Sequence, residues 1–202
     1  MKYLKMKNEF KIIANLLPNQ SRVLDVGCGD GTLIELLIKQ KNIDVRGMEL
    51  DGDKVKECIS KGLPVIEGNA ETELGQFPDK SFDFVVLSQT LQAFYKPENV
   101  LDQLLRIGKG AIVSIPNFGY WQIRTSLFFF GKMPITKSLP NTWYNTPNLH
   151  MCSIKDFYQF CEKKKIKIDK IIGVNDEKIS SINRINLGMK NLLSEVGIFL
   201  IS

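Results

Sequence analysis

Short apolar runs bounded by turn residues alternate with stretches of helical periodicity along the first half of the chain. Arg22-Val23-Leu24-Asp25-Val26 stops at Gly27 and has the form of a buried strand. From Thr32 to Lys41 apolar residues fall at 33, 34, 36, 37 and 38 and lysines close the stretch, which predicts an amphipathic helix. A strand over 44–50, a helix from Asp53 to Lys61 stopped by Gly62, and a strand over 64–68 follow. Phe82 to Ser88 predicts a fourth strand. Pro97 opens the next helix and Gly108 closes it, the usual proline-in, glycine-out asymmetry. Ala111 to Ile115 is the fifth strand. This alternation predicts βαβ units and a parallel sheet covered by helices on both faces.

The pattern changes after Pro116. Residues 117–150 are rich in aromatics, include both tryptophans, and are broken by Pro134, Pro140 and Pro147. Ser153 and Asp156 then have capping-box spacing and predict a helix to about Lys165. Two further strand-like runs, Ile166 to Val174 and Val196 to Ile201, finish the chain as a hairpin or as strands joined by a longer loop. About seven strands are expected.

Length and composition narrow the class. The 202 residues make one α/β domain of the expected size. Its cofactor-binding half covers about 1–116, a variable segment about 117–152, and a final helix and strands 153–202. No apolar run approaches the ~18–20 residues of a membrane helix, so no membrane partner is expected. The start, Met1 to Lys11, mixes Lys, Asn and Glu without an apolar core, which argues against a cleaved secretory signal. A cytoplasmic protein is expected. The net charge of +5 is carried almost wholly by Lys. The densest basic segment, around Lys163 to Lys165, lacks the interleaved aromatics on which single strands stack, so no nucleic-acid partner is expected. Cys28, Cys58, Cys152 and Cys161 are far apart and read as free thiols. With His150 the only histidine, no metal cluster is expected.

The candidate chemistry lies between the first strand and the first helix. Gly27, Gly29 and Gly31 follow Asp25 there, at the strand end where an open parallel sheet binds ligands. Glycines permit positive φ and a close backbone approach. Glu49 ends the second strand about twenty residues on, where a carboxylate can accept both hydroxyls of a ribose. Asn69, after the third strand, is an amide placed to meet a purine edge. Together they indicate a nucleoside. The spacing departs from the dinucleotide pattern G-x-G-x-x-G, and Asp25 would repel a pyrophosphate while suiting an ammonium. S-adenosylmethionine carries an ammonium, a sulfonium and no phosphate.

Val23 to Gly31, Glu49, Gly68-Asn69 and Ser81 to Val86 resemble the successive motifs of class I S-adenosylmethionine-dependent methyltransferases. Four later blocks make the resemblance more specific: Ser88 to Gln92, Ala111 to Gly119, Met133 to Thr136, and Trp143 to His150. Up to about Ile171 the chain resembles the methionine biosynthesis protein MetW family. The resemblance implies a Rossmann-like, seven-stranded, mostly parallel sheet of order 3-2-1-4-5-7-6 with its last strand antiparallel. It implies S-adenosylmethionine or S-adenosylhomocysteine bordered by Asp25, Gly27, Cys28, Gly29, Gly31, Glu49, Leu50, Asn69, Ala70 and Ser88. The family usually has an acid at position 69, so the charged part of that contact is lost here, and charge-assisted bonds are about twice as strong as neutral ones.

No base for methyl transfer stands out. Ser88-Gln89-Thr90 occupies the place after the fourth strand where amine-accepting relatives carry a different motif; it either bonds a polar substrate or shapes the strand end. Cys28 either packs or faces the cofactor. His150, whose ordinary pKa is near neutrality, is a capping or packed residue or a general base. Phe128-Phe129-Phe130 form a buried helix end or a hydrophobic lid or docking surface, and Trp143 and Tyr144 carry the same two readings. Two functions follow. In the first, the family's implied role, the protein supports or regulates homoserine O-acyltransferase. In the second it is an active methyltransferase on a small polar acceptor.

Overall fold

The computed structural model describes residues 2–136, 138–176 and 178–202, with side chains from Asn8 onward. Met1, at the head of the lysine-rich start, lies outside them.

The elements run α1 (Lys2–Leu16), β1 (Arg22–Val26), α2 (Thr32–Lys41), β2 (Asp44–Glu49), α3 (Gly52–Ser60), β3 (Val65–Glu67), α4 (Ala70–Glu73), β4 (Phe82–Ser88) and α5 (Pro97–Ile107). The second half adds β5 (Gly108–Pro116), α6 (Trp121–Phe130), α7 (Ile154–Lys164), β6 (Ile168–Asn175), β7 (Lys178–Ile182), α8 (Leu187–Leu193) and β8 (Val196–Ile201). One sheet orders the strands β3-β2-β1-β4-β5-β8-β6-β7. β8 runs antiparallel to both β5 and β6. This is the expected 3-2-1-4-5-7-6 order with one strand added at the edge.

The eighth strand corrects the expected seven. β7 folds back on β6, but only Ile182 of its five residues is buried, so the run Lys178-Ile179-Ser180-Ser181-Ile182 shows no apolar face to read. Helices α1, α4 and α8 were also unforeseen, and α6 was anticipated only at its end, as one reading of Phe128-Phe129-Phe130. α1 carries Phe10, Ile13 and Ala14 on one face, with Leu17 just past its end completing the i, i+3, i+4, i+7 spacing of a buried stripe. α8 contributes only Leu187 and Asn191 to the interior.

Helices cover both faces of the sheet. α1 and α2 pack Phe10, Ile13, Leu33, Ile34 and Leu37 against Val23, Val45, Val86 and Ile112 on one face. α5 and α7 pack Leu101, Leu104, Phe157 and Cys161 against Leu24, Val85, Leu87 and Val113 on the other. Consecutive residues of β1, β4 and β5 are buried, as expected of parallel strands with both faces covered. The capping box that opens α7 is formed: Ser153 Oγ accepts from Asp156 N at 3.2 Å, and Asp156 Oδ2 accepts from Ser153 N at 3.0 Å.

Candidate functional site

A cleft of about 670 Å³ opens at the carboxyl ends of β1, β4 and β5. β8 is antiparallel, so its first residue, Val196, reaches the same edge. The volume falls within the ~300–1,000 Å³ of small-molecule sites.

The β1 side of the wall is backbone. Gly27, Gly29 and Gly31 have φ of +71°, +58° and +77°. A Cβ at Gly31 would lie 2.3 Å from Leu63 Cδ1, so this glycine is demanded by packing as well as by conformation. At Gly29 nothing lies within 4 Å of the added Cβ. Its missing side chain leaves the cleft floor open. Gly27 N donates to Met48 O at 2.7 Å, which ties the loop to β2.

Two carboxylates sit behind this loop in different states. Glu49 is held by three backbone amides: it accepts from Gly29 N at 2.8 Å, Leu50 N at 2.9 Å and Asp51 N at 3.0 Å. Asp25 is 1% exposed and its Oδ1 has no partner. Burial, and then the nearby Glu49 charge, push the Asp25 carboxyl up to about 7. An orphaned buried acceptor costs about 1–3 kcal/mol, which a ligand donor would recover.

The cleft is acidic although the chain as a whole is basic. Among the described residues Glu9, Asp25, Asp30, Asp176 and Glu195 line it beside Lys54, with Asp176 and Glu195 each engaged in an interaction of their own.

Of the residues singled out from sequence, Asp25, Gly27, Cys28, Gly29 and Ser88 line the cleft. Gly31, Glu49, Leu50, Asn69 and Ala70 stand outside that wall, Glu49 joined to it through Gly29. The Asn69 side-chain oxygen accepts from Glu71 N at 2.9 Å as the N-cap of α4, leaving its NH2 group and one lone pair for a ligand. Cys28 also packs into the α1–α2 side of the core, and burial raises its thiol well above the ordinary range. His150 is exposed and is not part of the cleft wall; its backbone N–H donates to Gln92 O at 3.0 Å. Phe128, Phe129 and Phe130 are 71–83% exposed, so the buried helix end is not what forms. Trp143 and Tyr144 are equally bare, while Pro140, Asn141, Pro147 and Asn148 of the same segment line the cleft.

Glu9, Gln92 and Glu195 are cleft residues that sequence reasoning missed. The α1 stripe gave the signal for Glu9, since it adjoins Phe10. Nothing local marks the other two.

The model of the family described as methionine biosynthesis protein MetW matches residues 7–201. The chain belongs to that family. A MetW relative, the "Bifunctional methionine biosynthesis protein MetXA/MetW" of Rhodopirellula baltica, is 31% identical over 166 residues, which cover 78% of this chain and 27% of that one. A second, the 2-methyl-6-phytyl-1,4-hydroquinone methyltransferase of Synechocystis sp., is 27% identical over 131 residues, 63% of this chain and 41% of that one. The chain thus spans well under half the length of either curated relative. Among solved structures, a possible histamine N-methyltransferase from Thermotoga maritima superposes with TM-score 0.71 at 17% identity, covering 99% of this chain and 90% of that one. A SAM-dependent methyltransferase from Archaeoglobus fulgidus gives 0.65 at 18%, covering 100% and 94%. This MetW chain therefore has the class I S-adenosylmethionine-dependent methyltransferase fold. Among its described residues no helix is long and apolar enough to cross a membrane, and no group of three or more His, Cys, Asp or Glu is placed to hold a metal.

Proposed function

We propose that the protein binds S-adenosylmethionine or S-adenosylhomocysteine in this cleft and acts in the cytoplasm beside homoserine O-acyltransferase, supporting or regulating that step of methionine biosynthesis. The observation that carries the cofactor reading is Asp25, a buried carboxyl with an orphaned oxygen beside an open glycine floor. Such a group lacks a positively charged donor, and the amino-acid end of the cofactor has one. The acidic lining suits the additional sulfonium charge. Glu49 holds the loop and keeps lone-pair capacity for the ribose, because a carboxylate has about four acceptor positions and three are used. The Asn69 NH2 group is left for a purine ring nitrogen. When bound, the cofactor supplies an electrophilic methyl group.

The partner reading has separate support. The Rhodopirellula baltica relative is named as bifunctional, with MetXA and MetW in one chain, as expected of two parts that work side by side. The exposed pairs Phe128–Phe129 and Trp143–Tyr144, with ring centroids 5.0 Å and 5.6 Å apart, present apolar surface of the kind that anchors a protein interface. The accessory role is preferred to methyl transfer because His150 lies outside the cleft wall.

Purified protein would be titrated with S-adenosylmethionine and with NAD, then mixed with the acyltransferase. The expected result is binding of the first only, co-purification with the enzyme, and an acyltransferase rate that changes on adding S-adenosylmethionine. Any such coupling must be reciprocal between the two ligands. Failure of S-adenosylmethionine to bind overturns the cofactor reading. Methylation of an acceptor without the acyltransferase overturns the accessory role.

A further inference from the structure

Glu49 and the glycine loop occupy the β1–β2 side of the sheet. A second set of polar groups lies on the β4–β5 side, of which the cofactor reading uses only Ser88. Glu9 of α1 is 4% exposed, and its hydrogen-bond partners Ser88, Gln89 and Ser114 are all uncharged. Its carboxylate accepts from Ser88 Oγ at 3.0 Å, from Ser114 Oγ at 2.5 Å, and from Gln89 Nε2. Ser88 and Ser114 face each other in the β4–β5 register, so α1 delivers one carboxyl to the point where two strands end. Three of its roughly four acceptor positions are filled.

That network alone is explained by pinning α1 to the sheet. Gln92 is not. It is also 4% exposed; Nε2 donates to Gln89 O at 2.8 Å and its carbonyl receives Leu149 N and His150 N, yet Oε1 has no partner. A buried acceptor left without a donor is costly unless a ligand supplies one. Glu9, Ser88, Gln89 and Gln92 all line the cleft.

We propose that Glu9 and Gln92 form a second small-molecule subsite, adjoining the glycine loop, for a ligand that carries a primary amine. The choice of amine follows from counting donors. The subsite offers two acceptors, the Gln92 Oε1 and the ionisable Glu9 carboxyl. An ammonium brings three N–H donors and a positive charge, whereas a hydroxyl brings a single donor and no charge. The proposal rests on the preceding reading only in leaving the glycine-loop side to the nucleoside.

Ethanolamine and ethylene glycol, alike in size, serve as probes of the full chain by saturation-transfer NMR, with and without saturating S-adenosylhomocysteine. Ethanolamine is expected to bind in both conditions and ethylene glycol in neither. Glu9→Gln and Gln92→Met should each weaken ethanolamine at least tenfold while changing S-adenosylhomocysteine affinity less than twofold. If circular dichroism shows Glu9→Gln unfolded, Gln92→Met decides alone. Equal binding by the variants, no ethanolamine binding, or its displacement by S-adenosylhomocysteine overturns the subsite, the last because the amine then sat at Asp25. Ethanolamine binding in a protein that takes no S-adenosylhomocysteine leaves the subsite standing and removes the cofactor reading instead.

Discussion

The two walls of the cleft are held in different ways. The wall after β1 is a loop whose three glycines have positive φ and whose amides are fixed by Glu49 and Met48. The wall opposite, from 138 to 148, hangs on local turns, on the Gln92 carbonyl, and on a small cluster of Tyr120, Ile123 and Leu139. The first is restrained by main-chain hydrogen bonds to Glu49 and Met48. The second has a thin core and turns its largest aromatics to solvent. A ligand pocket bounded by one rigid and one lightly anchored wall can bind through the first and signal through the second.

The largest effect should come from breaking the rigid wall. Gly31→Val must take a positive φ and drive a branched side chain into Leu63, costing about 1–2 kcal/mol for conformation and about 1–3 kcal/mol for overpacking. Urea denaturation should show a loss of about 2–5 kcal/mol by that sum. A loss below about 1 kcal/mol would mean that the loop relaxes and is not rigid.

Glu49 comes next. Removing a carboxylate that holds three amides and, on the proposed reading, accepts a ribose hydroxyl at its remaining position should weaken S-adenosylmethionine by about ten- to a hundredfold, at about 1.4 kcal/mol per tenfold. Calorimetry on Glu49→Ala checks it, and unchanged affinity would leave Glu49 with the loop alone.

Asp25 gives a pH signature. Its folded pKa, about 7, lies above the ordinary 3.8, so between those values the folded state binds more protons than the unfolded. This group's contribution to stability is therefore fullest below about pH 4, and it falls as pH rises toward 7 and then levels. A bound ammonium favours the ionised carboxylate, so S-adenosylmethionine affinity should rise across the same window by up to about tenfold per pH unit. Asp25→Asn should flatten both profiles.

How much of this was legible follows the same division. The spacing of Asp25, the glycines and Glu49 is local to one βαβ unit, so sequence alone brought them together. β4 and β8 were read with their observed ends because uninterrupted apolar runs mark them. Glu9 and Gln92 are meaningful only through contacts across the fold: Glu9 meets Ser114 from 105 positions away. β7 was missed because an edge strand with one buried side chain leaves no pattern. The aromatic run at the end of α6 suggested a buried helix end ahead of a lid or docking surface, since hydrophobicity alone does not say whether a neighbour exists to cover it.

The lightly held wall should respond far less to substitution. Phe129→Ser with Trp143→Ser removes side chains that are 71% and 74% exposed, so stability should change by no more than about 0.5 kcal/mol. Cofactor affinity should stay near normal while co-purification with the acyltransferase is lost. Full retention of the complex would put the interface elsewhere and return these aromatics to the role of a lid over a substrate.

The smallest effect is expected at His150. Its side chain is exposed and outside the cleft wall, and its link to the site is a backbone N–H to Gln92 O, which any residue but proline supplies. His150→Asn should leave cofactor affinity, complex formation and melting temperature unchanged within about 0.5 kcal/mol, the ordinary range for exposed positions. General-base catalysis usually contributes about 10²–10⁴ in rate. A loss of that size in any activity, with the fold intact by circular dichroism, would show that the wall closes and carries His150 inward. The difference between the two walls would then be one of motion, with the loosely tied segment supplying the catalytic group and the glycine loop holding the cofactor still.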